Sequence, residues 1–359
     1  MKILHITPHL GGGVGSVLLR YLKDNDHKIS CLDYANHRAT KQLGSRLVGL
    51  DKIEWADIVV IHFWNHPLLY DFLVREELPP CRIAMWSHVS GLHQPNIFTE
   101  KLLSYPDLFI LSTPISLAVA PGRRIIWSTN GPEFVAPKYH EGFNVGYIGT
   151  VDYSKLHPMF LKMCLEISSK IPEAYFTVCG DSERMRLGRI EFKGWVDNVY
   201  DYLARMDIFG YPLQPNHYGT CDQALAEAMM CGVIPVVFDN PMELTMVEHM
   251  ETGIVVDSEG DYVSAVVELY SNETLRNRLS RNAMNYAEET FSLDRFKKAW
   301  ENVFEELISI PKTIRQWPIT SSDVFMESIG HNFDPKFHKV PTKGTINHYR
   351  MFFNDVNSY

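Results

Sequence analysis

Short apolar runs rich in β-branched residues alternate with segments of helical periodicity through most of this chain. The runs include KILHITP near the N-terminus, ADIVVIHFW from Ala56 and NVGYIG from Asn144. Such alternation is typical of parallel strands that are buried on both faces and connected by helices. The rhythm breaks at NGPEFVAPKYHEGF, which has two prolines and no period, and then starts again. The sequence therefore predicts an α/β chain with two Rossmann-like, doubly wound parallel sheets.

The break also suggests where the domains divide. We predict an N-terminal domain at 1–131, a linker at 132–143 and a C-terminal domain at 144–308. Residues 309–359 have no clear period but are rich in aromatic side chains, which are uncommon in disordered segments. We therefore expect this tail to pack on one of the domains.

Composition excludes several classes of protein. An apolar content of 45% with 21% charged residues is ordinary for a soluble globular chain, and a net charge of −9 argues against a nucleic-acid surface. No run approaches the ~20 apolar residues of a membrane span, and the N-terminus lacks an apolar signal core. The six cysteines show no pairing or metal spacing, which suggests a reducing compartment. We expect a cytoplasmic protein, with peripheral contact to the inner face of the membrane left open.

Glycines follow the first predicted strand, at Gly11, Gly12, Gly13 and Gly15, before a helix expected near Ser16. Glycines and a helix N-terminus both favour the approach of an anion. A dinucleotide site would need Gly-x-Gly-x-x-Gly and a later acidic residue, for which Asp33 is well placed, but the glycine spacing does not fit. A tight strand-to-helix turn without ligand remains the structural alternative.

The stretch YGTCDQALAEAMMCGVIPVV at residues 218–237 predicts a loop, a helix and a buried strand. Gly232 stands where a helix C-terminal glycine belongs. Glu227 is an acidic residue among small and apolar helix residues, so it is either a solvated helix position or a ligand-binding group. Asp222 is either the helix N-cap or a second polar group of the site.

This stretch resembles the signature of the retaining, nucleotide-sugar-dependent family-4 glycosyltransferases, the group 1 glycosyl transferases. The resemblance covers roughly residues 1–308 and implies a GT-B architecture, with two Rossmann-like domains that face a cleft. It implies that Glu227 accepts hydrogen bonds from the donor ribose. The family has a second Glu eight residues earlier, where this chain has Gly219 beside Thr220. Asp222 is then a candidate to approach a donor-sugar hydroxyl in its place.

Further donor-binding positions follow from the same resemblance. The family grips the donor diphosphate with an Arg and, five residues later, a Lys; here Thr150 and Lys155 hold these positions. The resemblance places Gly180 at the nucleotide pocket. Trp195 and Val196 fall where the nucleotide base would stack, with core packing as the alternative.

The N-terminal domain carries the remaining candidates. The resemblance implies that the loop with Gly12, Gly13 and Gly15 faces the donor phosphates and the acceptor, and that His88 lies near the donor pyrophosphate and sugar. A histidine at a strand end is more often structural. His62, His66 and His93 together suggest a metal cluster only weakly, because their spacing matches no known ligand pattern.

The resemblance therefore predicts transfer of a sugar from a nucleotide-diphosphate sugar, with UDP favoured, to a hydroxyl of a sugar, lipid-linked or small-molecule acceptor. It implies retained configuration and neither metal nor cofactor. The predicted catalytic residues are His88, Lys155, Asp222 and Glu227. One alternative is a non-catalytic glycosyltransferase-like partner or sugar-binding protein, which the replacements at Thr150 and Gly219 favour. The other is a dinucleotide-dependent oxidoreductase.

Overall fold

The computed structural model describes residues 1–22, 26–33, 38–75, 77–92, 96–152, 155–215, 217 and 219–315. The described residues form two compact units: Met1–Ser128 together with Phe296–Arg315, and Thr129–Arg295. Both are built on parallel sheets with helices, so the predicted α/β fold class is confirmed. Residues 316–359, for which packing on a domain was predicted, lie outside the described residues.

The first unit has a sheet of six parallel strands in the order β2-β1-β3-β4-β5-β6 among its described residues. Its strands are β1 (Ile3–Thr7), β2 (Lys28–Cys31), β3 (Ile58–Phe63), β4 (Ile83–Ser87), β5 (Leu108–Leu111) and β6 (Arg124–Ile125). Its helices are α1 (Gly12–Leu22), α2 (Arg38–Gln42), α3 (Pro67–Arg75) and α4 (Glu100–Ser104). β1, β3 and β4 are buried at every position, as expected for central strands covered on both faces.

The second unit has a sheet in the order β13-β12-β11-β7-β8-β10-β9, parallel except for the antiparallel pair β9 and β10. Its strands are β7 (Phe143–Ile148), β8 (Ala174–Cys179), β9 (Met185–Leu187), β10 (Ile190–Gly194), β11 (Ile208–Tyr211), β12 (Ile234–Phe238) and β13 (Ile254–Val256). Its helices are α5 (Phe160–Lys170), α6 (Tyr200–Leu203), α7 (Gln223–Met230), α8 (Glu259–Ser271) and α9 (Glu273–Phe291). Gly232 follows α7 with φ of 72°, the left-handed conformation predicted for it.

The last described helix, α10 (Leu293–Ile308), corrects the predicted domain boundary. The described residues Phe296–Arg315 group with the first unit, whereas the sequence pattern assigned residues 144–308 to the C-terminal domain. The reason is an aromatic contact that periodicity does not reveal. Phe296 and Trp300 pack against Trp86 of β4 with ring centroids 5.6 and 5.2 Å apart, and Trp300 is fully buried.

The N-terminal glycines are placed differently from the prediction. Helix α1 begins at Gly12 rather than near Ser16, so Gly12, Gly13 and Gly15 occupy its first turn. A Cβ atom on Gly15 would lie 2.1 Å from the backbone oxygen of Leu10, so close packing of this turn requires glycine. Gly12 and Gly13 are exposed, and their backbone lies at the helix N-terminus.

None of the helices in the described ranges is long and apolar enough to span a bilayer.

Candidate functional site

The carboxyl ends of β7 and β11 lie side by side in the second unit, because the two strands are neighbours and parallel. The loop after β7 carries Lys155, and two backbone bonds join it to the segment after β11. The backbone N–H of Gln214 donates to the oxygen of Lys155 at 2.9 Å, and that of His157 donates to the oxygen of Pro212 at 2.9 Å. This edge is where ligands meet sheets of this class.

Lys155 is held by Asp222 rather than pointing into solvent. Its Nζ donates to Asp222 Oδ1 at 2.8 Å, and the Tyr211 hydroxyl donates to the same oxygen at 3.0 Å. The side chains of Lys155 and Asp222 are only 13% and 2% exposed. Asp222 does occupy the N-cap position of α7, but its side chain makes no capping hydrogen bond. The carboxylate is used to position the lysine ammonium instead.

The charge of Asp222 is sustained by its neighbours. Burial alone would raise the pKa of this carboxyl group, but the charge of Lys155 and the hydrogen bonds from Lys155 and Tyr211 together hold the pKa below its usual range. Asp222 is therefore an anion at neutral pH. Its second oxygen, Oδ2, is buried and has no hydrogen-bond partner among the described residues. A buried anionic oxygen of this kind is a candidate acceptor for a ligand hydroxyl.

Beside this pair lies a buried His–Glu contact that the sequence analysis missed. His217 Nε2 lies 3.2 Å from Glu243 Oε2, and the backbone N–H of Gly219 donates to His217 Nδ1 at 3.0 Å. Because Nδ1 accepts, the ring proton belongs on Nε2, which donates to the carboxylate. Burial raises the pKa of Glu243 although the bond from His217 opposes it. The single acidic residue in the apolar run PMELTMV was the only local signal.

The His217 contact fixes the loop at Gly219, the position where the family has its first Glu. A Cβ atom on Gly219 would lie 2.7 Å from His217 Nδ1 and 3.1 Å from Asp222 Oδ1. A larger residue would therefore displace the histidine or the aspartate. The glycine is required by this packing, and Thr220 beside it is buried.

Glu227 lies in α7, one helical turn after the helix begins, and is only 6% exposed. The amide of Gln223 donates to Glu227 Oε1 at 3.2 Å. The interpretation of Glu227 as a solvated helix position is therefore wrong, because a solvated carboxylate would be largely exposed. Burial of an ionisable side chain in this short helix is consistent with a binding role.

The remaining predicted positions of this unit lie at strand ends. Gly180 follows β8, and a Cβ atom there would lie 2.0 Å from the backbone oxygen of Gly149, so the strand ends approach closely. Thr150 follows β7 and is half-buried, and its backbone oxygen accepts from the Tyr147 hydroxyl at 2.7 Å. At Gly180 and Thr150 the site therefore offers a ligand backbone groups and no charged side chain.

Trp195 follows β10 and is 72% exposed, while Val196 is half-buried. The alternative that Trp195 packs in the core is therefore wrong. An exposed indole at the carboxyl edge of a parallel sheet is available for stacking on a planar ligand.

In the first unit, His88 follows β4 and is half-buried. Its Nε2 lies 2.9 Å from Nδ1 of His62, which is fully buried in β3. His66 Nδ1 accepts from the backbone N–H of Leu68 at 3.2 Å, and His93 lies outside the described residues. Among the residues that the structure describes, no group of three or more His, Cys, Asp or Glu side chains is arranged to hold a metal ion.

Comparison with known proteins agrees with this architecture. Residues 142–272 match the family model for glycosyl transferases group 1, which confirms the resemblance for that part of the chain. HepE of Anabaena in complex with UDP-glucose is similar at a TM-score of 0.67 and 13% identity, covering 85% of this chain and 100% of HepE. Sucrose-phosphate synthase from Thermosynechococcus elongatus is similar at a TM-score of 0.65 and 14% identity. The match covers 86% of this chain and 100% of the synthase. No curated protein sequence matched. The GT-B fold is thereby confirmed.

Proposed function

We propose that this chain, whose second unit matches the group 1 glycosyl transferases, moves a sugar from a nucleotide-diphosphate sugar to a hydroxyl acceptor. The observation that carries the proposal is the buried Lys155–Asp222 pair at the start of the helix that bears Glu227. It lies at the carboxyl edge of the sheet within the matched residues. The complex of the similar HepE with UDP-glucose supports UDP as the nucleotide.

In this proposal the nucleoside binds along one side of the edge. Glu227 accepts hydrogen bonds from the ribose hydroxyls, and the exposed indole of Trp195 stacks on the base beside Val196. The backbone at Gly180 lines the nucleotide. Such a site distinguishes a nucleotide by its ribose and its planar base.

The diphosphate lies near Lys155, whose ammonium group is the cation available in the loop after β7. A leaving nucleotide diphosphate gains negative charge in the transition state, and preorganised donors stabilise that charge. Asp222 offsets part of the charge of Lys155, so the backbone N–H of Thr220 and the hydroxyl of Thr150 supply additional donors. In the first unit, the exposed backbone of Gly12 and Gly13 at the start of α1, which also contains Gly15, is suited to bind an anion.

The transferred sugar is held by Asp222 Oδ2, which accepts a hydrogen bond from a sugar hydroxyl. His88 remains a catalytic residue predicted from the resemblance. We propose retained configuration by front-face substitution, in which the acceptor hydroxyl attacks on the side from which the diphosphate leaves. The protein then contributes positioning and charge stabilisation, with no metal or cofactor. The acceptor is a sugar, a lipid-linked or a small-molecule hydroxyl, and a membrane-bound acceptor would require peripheral membrane contact.

A non-catalytic role in sugar or nucleotide binding is the second candidate. It is favoured by Gly219 and Thr150, which replace the family's carboxylate and guanidinium groups, and by the neutralisation of Lys155 by Asp222. Such a protein would bind the nucleotide without turning it over.

Two measurements separate these functions. Thermal shifts with UDP, GDP and ADP, each alone and as a nucleotide sugar, test for a nucleotide site, since a ligand at 100 times its Kd stabilises by about 2.7 kcal/mol. Release of the free nucleotide from its sugar, with and without hydroxyl acceptors, tests for transfer. A shift with measurable release supports the transferase; a shift without any release supports the binding protein. The absence of both would overturn the proposal.

A further inference from the structure

Four histidines of the first unit are joined ring to ring across its sheet. His88 Nε2 lies 2.9 Å from His62 Nδ1, His62 Nε2 lies 3.0 Å from His5 Nδ1, and His5 Nε2 lies 3.1 Å from His27 Nδ1. They belong to β4, β3, β1 and β2, or to the residue next to the strand, and these four strands are consecutive in the sheet. These four residues are called the histidine chain below.

Aromatic side chains enclose the histidine chain. Tyr21 contacts the rings of His5 and His27, and Trp86 contacts those of His62 and His88, with centroids 4.4–5.8 Å apart. Phe304 of α10 lies 5.8 Å from His27. His5 and His62 are fully buried. The interior of the histidine chain is therefore shielded from water, and a proton on an inner ring has only neighbouring imidazoles as hydrogen-bond partners.

Burial keeps the histidine chain neutral. It lowers the pKa of His27 to about 4 and that of His88 to about 3, and it holds the pKa values of His5 and His62 well below the usual range. His62 is further disfavoured as a cation by its two histidine neighbours. At neutral pH each ring therefore carries one proton.

The proton count links the four tautomers. Each of the three nitrogen–nitrogen contacts needs one proton to be a hydrogen bond, and a neutral imidazole donates with one nitrogen and accepts with the other. Three of the four protons fill the contacts, so the fourth lies at one end, on His88 Nδ1 or on His27 Nε2. All four rings must then be protonated on Nδ1, or all four on Nε2.

We propose that the histidine chain is a proton relay that couples the protonation of His88 Nδ1 to that of His27 Nε2. When His88 Nδ1 binds a proton, His88 passes its Nε2 proton to Nδ1 of His62. His62 then passes its Nε2 proton to Nδ1 of His5, and His5 passes its Nε2 proton to Nδ1 of His27. The proton on His27 Nε2 passes to a base outside the histidine chain. One proton enters, one leaves, and no ring remains charged.

The two ends differ in their surroundings. His27 is half-buried, and Arg46 and the N-terminal amino group lower its pKa further, while Asp26 raises it. A proton that reaches His27 is therefore released rather than retained. His88 can act as a base although burial strongly disfavours its cation. This inference goes beyond the proposed sugar transfer, and its test needs no enzymatic activity.

The test is nitrogen-15 NMR of the histidine rings in the full-length protein at pH 7, which distinguishes Nδ1–H from Nε2–H tautomers. The relay requires the same tautomer ratio in His5, His27, His62 and His88. The variant His27→Phe removes the terminal nitrogen and keeps an aromatic ring at a half-buried position, so the fold should survive. The matched control Phe304→Leu alters packing on His27 and keeps every nitrogen.

We expect His27→Phe to change the tautomer ratio of His88 by about threefold or more, the equilibrium effect of one modest hydrogen bond. The control should leave that ratio within a factor of about 1.5, since no hydrogen bond changes. Mixed tautomers among the four rings of the native protein would overturn the proposal. An unchanged ratio at His88 in His27→Phe would also overturn it, because the ends would then be uncoupled.

Discussion

Lys155 Nζ lies 2.8 Å from Asp222 Oδ1, so the one lysine implied in diphosphate binding is an ion-paired group rather than a solvated side chain. The two residues are 67 positions apart in the chain. A buried pair has consequences for stability as well as for binding, because each partner left alone is an uncompensated buried charge. The two consequences are separable with matched variants.

Removal of the lysine ammonium alone should destabilise the second unit. Lys155→Met leaves Asp222 buried without its cation, and breaking a buried pair typically costs about 3–5 kcal/mol in the free energy of unfolding. The double variant Lys155→Met/Asp222→Asn removes both charges and should recover most of that loss. Urea unfolding monitored by fluorescence measures the free energy of unfolding of the single and the double variant. Equal stability of the native protein and Lys155→Met would show that the pair is not formed in solution.

The same double variant tests the role of the Lys155–Asp222 pair in transfer. A preorganised donor to developing charge is worth about 2.7–4 kcal/mol, so the stable double variant should lose roughly 100- to 1,000-fold in rate. Thr150→Arg should be tolerated and should tighten diphosphate binding, because it adds a cation at the position where the family has one. Initial rates measure the loss in the double variant, and a titration with UDP measures the affinity of Thr150→Arg. Retention of most activity by the double variant would place the diphosphate elsewhere.

Glu227→Gln should weaken nucleotide binding with little change in unfolding free energy, because the amide preserves shape and its contact with Gln223. Loss of a charged acceptor to the ribose should cost roughly 1.5–3 kcal/mol of binding. Calorimetric titration with UDP measures the loss. Glu288→Gln, an exposed position on α9, is the matched control and should bind UDP normally. Unchanged affinity in Glu227→Gln would remove Glu227 from the site.

Trp195→Ala should reduce nucleotide affinity without reducing stability, since the indole is already 72% exposed. Stacking of a base on an aromatic side chain is worth about 1–3 kcal/mol. Tyr139→Ala provides the control, because Tyr139 is 90% exposed and lies in the second unit ahead of β7. If both variants bind UDP equally well, Trp195 does not stack on the base.

Transfer should persist in excess EDTA, because Lys155 and backbone donors stabilise the leaving diphosphate in the proposed mechanism. The rate is measured after dialysis against EDTA and again after addition of Mg²⁺ or Mn²⁺. Loss of the rate with recovery on addition of either ion would reveal a metal-dependent step.

The first unit should lose stability as the pH falls below about 6.5, the ordinary pKa of histidine. The histidine chain has depressed pKa values in the folded state, so the unfolded chain binds more protons and acid favours unfolding. The stability is present above that pH and is lost as the pH falls toward the folded values of about 4 for His27 and about 3 for His88. Denaturant unfolding at pH 7.5, 6.5 and 5.5 measures the slope.

The variant His62→Phe should show a shallower pH slope, because one histidine no longer takes up a proton on unfolding. His249→Asn, at an exposed position of the second unit, should leave the slope of the first unit unchanged. A slope that is the same in His62→Phe and the native protein would contradict the depressed pKa values.

Periodicity along the chain was sufficient to predict the two parallel sheets, because strand and helix patterns are properties of neighbouring residues. The motif at residues 218–237 likewise predicted α7, the left-handed Gly232 and the candidate role of Glu227. The contacts of Lys155 with Asp222, of His217 with Glu243 and within the histidine chain were not predictable in this way. They join residues from separate strands and loops, so only the tertiary structure decided which charges are buried, which are paired and which protons are shared.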